Sequence, residues 1–241
     1  MQLNTSKTLF WITLFSIAMG MLESAVVIYL RELYYPEGFS FPLKFMSTIV
    51  AITELLRELA TLIMLIGIGV LAGRNKTERF AFFIYSFAIW DIFYYIFLKA
   101  ILNWPESLLT WDILFLLPTT WVGPVVSPVL LALAMIVLAI YIIINTHFEY
   151  NPRINKIEWL LLIIGSIICI VSFTLEYSQY ILQSFSLSEM FILNEELMNY
   201  SIAFIPHKFP WFIFFSGYLL IVFGIVSYGY RLHKKTRHIA G

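Results

Sequence analysis

Apolar residues fall along this chain in six long blocks, and polar residues collect between the blocks rather than alternating within them. The blocks cover residues 8–30, 46–72, 80–101, 122–145, 157–182 and 209–230. Each matches or exceeds the roughly 20 mostly apolar residues that a helix needs to cross a bilayer. Turn-forming residues stand between them: Pro36 and Gly38, Gly73 and Asn75, Pro118 with Gly123 and Pro124, Asn151 with Pro152, and Pro206. The pattern predicts an all-α integral membrane protein in which residues 1–241 form a single six-helix transmembrane domain. Lys7 before an apolar run also fits a signal peptide. That run continues to Leu30 with no small-residue cleavage site, so it is read as the first span.

Lys and Arg in the short loops set the expected orientation. With the N-terminus in the cytoplasm, that side holds Lys7, Arg74, Lys76, Arg79, Arg153, Lys156, Arg231, Lys234, Lys235 and Arg237, and the other side only Arg31, Lys44, Lys99 and Lys208. Ten against four, with an even number of spans, predicts both termini inside and a cell (inner) membrane location. The basic tail reads as a stop-transfer flank.

Two outer segments are more than connectors. Residues 105–117, PESLLTWDILFLL, are apolar but too short to span, and Pro105 stands where a helix start accepts proline. A re-entrant or interfacial helix is therefore expected between spans three and four, with irregular backbone after it at Pro118, Pro124 and Pro128. Residues 184–199 mix apolar and acidic positions and suit the interface. Trp104, Trp111, Trp121 and Trp211 fall near the same side, as an aromatic belt requires. No internal repeat is visible.

Composition agrees: 61% of the 241 residues are apolar and 12% charged, about half the usual charged fraction. A formal net charge of zero gives nucleic-acid binding no support. Cys169 is the single cysteine, which excludes an intrachain disulfide and a cysteine-based zinc site.

The chemistry-bearing signal is a set of ionisable residues inside apolar blocks: Glu23, Glu54, Arg57, Glu58, Asp91 and Glu176. At the helical rise, Glu23 lies roughly 10 Å from the outer end of its span, Glu54 to Glu58 roughly 12–18 Å and Asp91 roughly 15 Å. Three helices therefore bring their charges to one level, while Glu176 belongs near the rim. Glu54, Arg57 and Glu58 share one helix face with Ser47, Ala51, Thr61 and Leu65. A charge near the middle of a span costs about 2.5–3.5 kcal/mol on the insertion scale, so this face must look inward to partners. Arg57 is expected to pair with Glu54 in its own helix and with Glu23 or Asp91 across helices.

Four acids against one arginine would leave three excess negative charges. Either some are protonated, or a cation sits among them, or water reaches them. Each outcome describes a proton or cation site, with Glu23, Glu54, Glu58 and Asp91 as acceptors and Arg57 as counter-charge. Asp112 is expected as a lid or rim over the cluster and Glu176 as part of the rim, while Tyr94 and Tyr95 either hydrogen-bond Asp91 or fill space, as aromatics this numerous mostly do.

No cofactor and no metal are expected. His147, His207, His233 and His238 all lie outside the spans, which disfavours haem and imidazole metal sites. Gly-x-Ser-Gly and Gly-x-Gly-Asp protease motifs, paired Asp-rich diphosphate motifs and Gly-rich phosphate loops are absent. Glu54-Leu-Leu-Arg57-Glu58 lacks the order, spacing and histidines of the prenyl-protein peptidases. The leading expectation is proton- or cation-linked transport or conduction, with the bilayer and a proton or small cation as partners. Two other classes stand beside it. One is a non-catalytic subunit of a larger membrane complex, its charges serving as packing glue. The other is a membrane enzyme on a lipid or quinone with a carboxyl general acid/base.

Overall fold

The computed structural model describes residues 5–147, 153–191 and 195–240, without the side chains of 147, 191 and 234–240. Among them, six helices are long and apolar enough to cross a membrane, which marks an integral membrane protein. They are α1 (Thr5–Tyr34), α2 (Thr48–Ala72), α3 (Lys76–Leu102), α4 (Val126–His147), α5 (Lys156–Ile181) and α7 (Trp211–Ala240); α6 (Glu195–Ser201) is a short helix in the connection between the last two.

Local sequence accounts for several ends. Ser47 accepts from the Val50 N–H at the start of α2, and Asn75 accepts from the Thr77 and Glu78 N–H groups at the start of α3. Asn103 ends α3 in the left-handed conformation, φ 54°. Asn155 and Glu158 form a reciprocal capping box on α5.

The segment between α3 and α4 departs from expectation. Instead of a re-entrant helix, β1 (Trp111–Phe115) and β2 (Trp121–Pro124) form an antiparallel hairpin, Asp112 facing Gly123 and Phe115 facing Trp121. The physical reason is in the sequence. Trp111, Ile113 and Phe115 recur every second residue, and Pro118 and Pro124 bias the residues before them toward extended backbone. Phe115 and Trp121 make a cross-strand aromatic pair at 5.6 Å. Consequently α4 begins at Val126 rather than at 122. Of residues 184–199, 192–194 lie outside the described residues, and the rest include a single 3-10 turn at Glu189–Phe191 and the start of α6.

α1 and α2 both pack on α3 and touch each other only sparsely. Small side chains bring α1 onto α3: a Cβ on Gly20 would lie 3.0 Å from the Trp90 carbonyl oxygen. Ser16 and Ser86 hydrogen-bond across that interface at 2.7 Å, and the Ser24 hydroxyl donates to the Tyr94 carbonyl at 3.0 Å. α5 and α7 approach still closer, at Gly165 and Gly217, where an added Cβ on either would meet the other's carbonyl oxygen at 2.7 Å. α4 joins the two groups by packing on α3 and α7. The hairpin is wedged against the second group, with Trp121 stacked on Phe173 at 5.8 Å and Trp111 edge-on to Phe209 at 6.2 Å.

Candidate functional site

At the end of the bundle that carries the hairpin, α1, α2, α3, the hairpin and the flanking connections enclose part of a cavity of about 430 Å³. Helical spacing puts the polar residues on its wall. α1 supplies Glu23, Val27 and Arg31 at four-residue steps, α2 supplies Glu54, Arg57, Glu58 and Thr61, and α3 supplies Trp90, Asp91, Tyr94 and Tyr95.

Arg57 sits between two helices. Its Nη2 lies 2.8 Å from Glu54 Oε2 on the same helix, and its Nη1 pairs with Glu23 Oε1 on α1. This is the cross-helix pairing expected for Glu23; Asp91 is not a partner of Arg57. The ion pair bridges α1 and α2 where those helices otherwise touch only sparsely.

Glu58 points elsewhere. Its two carboxylate oxygens accept from the Leu116 backbone N–H at 3.0 and 3.1 Å, tying the far end of β1 to α2. Non-helical backbone among spanning helices must have its polar groups satisfied, and Glu58 does this for the hairpin.

Asp112 is buried, 2% exposed, and lines the same cavity. Arg31 Nη2 lies 3.3 Å from its Oδ1, and the Tyr95 hydroxyl donates to its Oδ2 at 3.3 Å. Burial pushes the Asp112 carboxyl up to about 6, against the pull of the Arg31 guanidinium. Arg31 in turn lies against the Trp104 ring at 3.7 Å and the Phe39 ring at 4.6 Å. Of the two roles open to Tyr95, the structure shows neither: its hydroxyl serves Asp112, not Asp91.

Asp91 lines the cavity with a buried Oδ2 that has no hydrogen-bond partner among the described residues. The same holds for Arg31 Nη1 and Trp90 Nε1, on two side chains that are each 7% exposed. Polar atoms left in this state are uncommon in folded proteins.

Glu176 is not part of the cavity. It accepts from the backbone N–H groups of His207 at 2.9 Å and Lys208 at 3.3 Å, with His207 Nδ1 at 3.7 Å, and so ties α5 to the entry of α7. Its expected place on the rim gives way to a structural tie, because two free N–H groups just before α7 need acceptors.

Five carboxylates, Glu23, Glu54, Glu58, Asp91 and Asp112, therefore share one cavity with Arg31, Arg57 and the exposed Lys44, leaving a formal excess of two negative charges. They do not close around one point: among the described residues no three His, Cys, Asp or Glu side chains stand as metal ligands would. The rest of the lining mixes hydroxyl-bearing residues such as Thr61, Thr119, Thr120 and Ser201 with apolar ones from the connections as well as the helices, including Leu43, Met46, Met190, Met198 and Ile202.

Arg31 belongs to α1 and to the cavity, not to the outer loop in which the pattern of basic residues places it. Its signal was its spacing, two four-residue steps beyond Glu23. The Leu116 N–H carries no signal in the sequence at all. Fold and site together describe a membrane protein with six helices long and apolar enough to span and an acid-lined, largely apolar cavity. Comparison with protein-family models, curated proteins and solved structures finds no match to this chain.

Proposed function

We propose that the protein carries out proton- or cation-linked transport through this cavity, held in a cell (inner) membrane with both termini cytoplasmic. The ten-to-four bias of basic residues supports that orientation, which sets the cavity in the outer half of the bilayer. The observation that carries the reading is the convergence of five carboxylates on one partly enclosed cavity with too few cations to neutralise them. Ionisable groups inside a bundle and facing a cavity are the usual mark of a proton or ion path. Irregular backbone beside them, here the hairpin, is a feature of transporter binding sites.

The sparse contact between α1 and α2 also favours a second reading, an enzyme acting on a lipid or quinone that enters sideways from the bilayer, with a carboxyl as general acid or base. One experiment separates the two. Purified protein in liposomes carrying an internal pH dye, with Na⁺ or K⁺ gradients imposed, is expected to dissipate the pH or ion gradient faster than empty liposomes. Gradients that decay at the empty-liposome rate under every imposed condition would defeat the transport reading.

A further inference from the structure

The cavity is larger than the inner coordination shell of an ion, and its walls are of two kinds. Volumes from about 300 Å³ upward are those of sites for small organic molecules. The helices and the hairpin contribute the five carboxylates, and the connections contribute leucine, isoleucine and methionine side chains, with Met46, Met190 and Met198 among them. Unbranched methionines adapt to flexible apolar partners. Three buried polar atoms on the lining residues lack partners, two of them donors, Arg31 Nη1 and Trp90 Nε1, and one an acceptor, Asp91 Oδ2. A bare cation would satisfy only the acceptor, and the carboxylates do not gather as ion ligands would.

We infer that the cavity binds a single-chain amphiphile whose head combines a cationic amine with a hydroxyl or comparable oxygen, an amino-alcohol head on a hydrocarbon tail. The amine donates to Asp91 and answers the acidic excess. The oxygen accepts from Arg31 or Trp90 once that side chain turns its buried N–H toward the cavity. The tail lies along the apolar wall and enters between α1 and α2, whose sparse contact leaves the side of the bundle bridged chiefly by the Arg57–Glu23 pair. Both unpartnered donors sit on nearly buried side chains, so the site is built into the fold rather than being a loose patch of surface acids. The inference rests on the transport reading for its purpose, as a ligand of the cavity through which the cation moves, but on the cavity alone for its chemistry.

The test uses the whole protein in lipid nanodiscs and four probes: 2-(dodecylamino)ethanol, dodecanol, dodecyl sulfate and 2-aminoethanol, with binding to empty nanodiscs subtracted. The dodecyl amino alcohol is expected to bind saturably. Loss of the tail should weaken binding by more than about a hundred-fold, since each buried methylene contributes about 0.8 kcal/mol. Dodecanol and dodecyl sulfate should bind about ten-fold or more weakly, the scale of one charge-assisted hydrogen bond. Asp91→Asn should weaken the amino alcohol by about ten-fold with an unchanged melting temperature, and Trp90→Phe should weaken it less. Equal binding of all three dodecyl compounds, binding of 2-aminoethanol as tight as that of its dodecyl derivative, or no binding above empty nanodiscs would each overturn the inference. Ion flux in liposomes without any amphiphile reads the transport proposal separately. Flux without amphiphile binding sinks only this inference, and binding without flux, whether amphiphile is present or not, sinks only transport.

Discussion

Gly165 and Gly217 bring α5 and α7 so close that neither can carry a Cβ, whereas α1 and α2 meet through the carboxylate of Glu23 and the guanidinium of Arg57. In one region the helix contact is dry backbone against backbone, backed by Cys169, Phe173 and Phe214 in the apolar core. In the other, two helices stand apart on a shared support, α3, and charge fills the space between them. Spanning helices gain little from hydrophobic exclusion of one another, so close small-residue packing is their cheapest source of rigidity. The α5–α7 pair has spent its sequence on that rigidity. The α1–α2 pair has not, and the space it forgoes is the cavity. The hairpin connects the two, fixed by Trp111 and Trp121 to the rigid side and by Leu116 and Asp112 to the polar side.

If this contrast is correct, the two regions should fail differently. The largest loss of folded protein is expected from Arg57→Ala, which leaves the carboxylates of Glu23 and Glu54 without their cation. Removing one member of a buried pair costs about 3–5 kcal/mol. Detergent-solubilised Arg57→Ala should melt far below the parent by size-exclusion thermal challenge. Glu23→Gln or Glu54→Gln should restore part of the loss, while Asp91→Asn should restore none. Parent-like melting of Arg57→Ala would mean that the α1–α2 gap is wet enough to solvate the acids.

Next in size is Gly217→Val. The added side chain would begin 2.7 Å from the Gly165 carbonyl oxygen and 2.9 Å from both the nitrogen and the Sγ of Cys169, so that it meets chiefly α5 backbone that cannot yield. Overpacking of this kind costs about 1–3 kcal/mol. Gly67→Ala on α2, where a Cβ meets nothing within 4 Å, is the matched control and should melt like the parent. Equal effects of the two substitutions would erase the difference between the dry and polar regions.

The polar region itself divides at Glu58. Glu58→Ala strips the hairpin's Leu116 N–H of its acceptor, an unsatisfied buried group worth about 1–3 kcal/mol. The loss should lie near the lower end, because the same change removes a carboxylate from beside Glu54. Glu58→Gln keeps an oxygen acceptor and should melt within error of the parent. Were Gln as damaging as Ala, the charge of Glu58 rather than its oxygen would be what holds the hairpin.

The six spans were legible because length and hydropathy suffice for them, and loop prolines and asparagines marked the breaks. The Glu23–Arg57–Glu54 association was legible too, since residues three and four apart share a helix face and the one arginine inside the predicted spans has few acids to choose from. The hairpin was not. A 13-residue apolar stretch after a proline fits a short helix by composition. The competing period-two placement of Trp111, Ile113 and Phe115 becomes decisive only once Trp121 stands opposite Phe115. Arg31 was hidden by ending the first span at Leu30, four residues short of the end of α1 at Tyr34, which keeps Arg31 on the face of Glu23. The apolar wall was illegible for a different reason: Met46, Met190 and Met198 are far apart in sequence and meet only through tertiary packing.

The smallest effect on folding, and the one that separates function from glue, is expected from Asp91→Asn. Asp91 differs from the other four carboxylates in the cavity, each of which has a defined partner: Arg57 for Glu23 and Glu54, the Leu116 N–H for Glu58, Arg31 and Tyr95 for Asp112. Its Oδ2 is buried and unpartnered, so no contact is broken when the oxygen is exchanged for an amide of the same size. A packing role predicts that the exchange is harmless throughout, or stabilising, because a charge beside Asp112 disappears. A transport role predicts parent-like melting together with loss of most of the gradient dissipation in liposomes, since the titratable group has gone while the shape remains. Full flux in Asp91→Asn, combined with destabilisation by Asp91→Ala, would assign the residue to packing and move the protein toward the reading of a non-catalytic subunit in a larger membrane assembly.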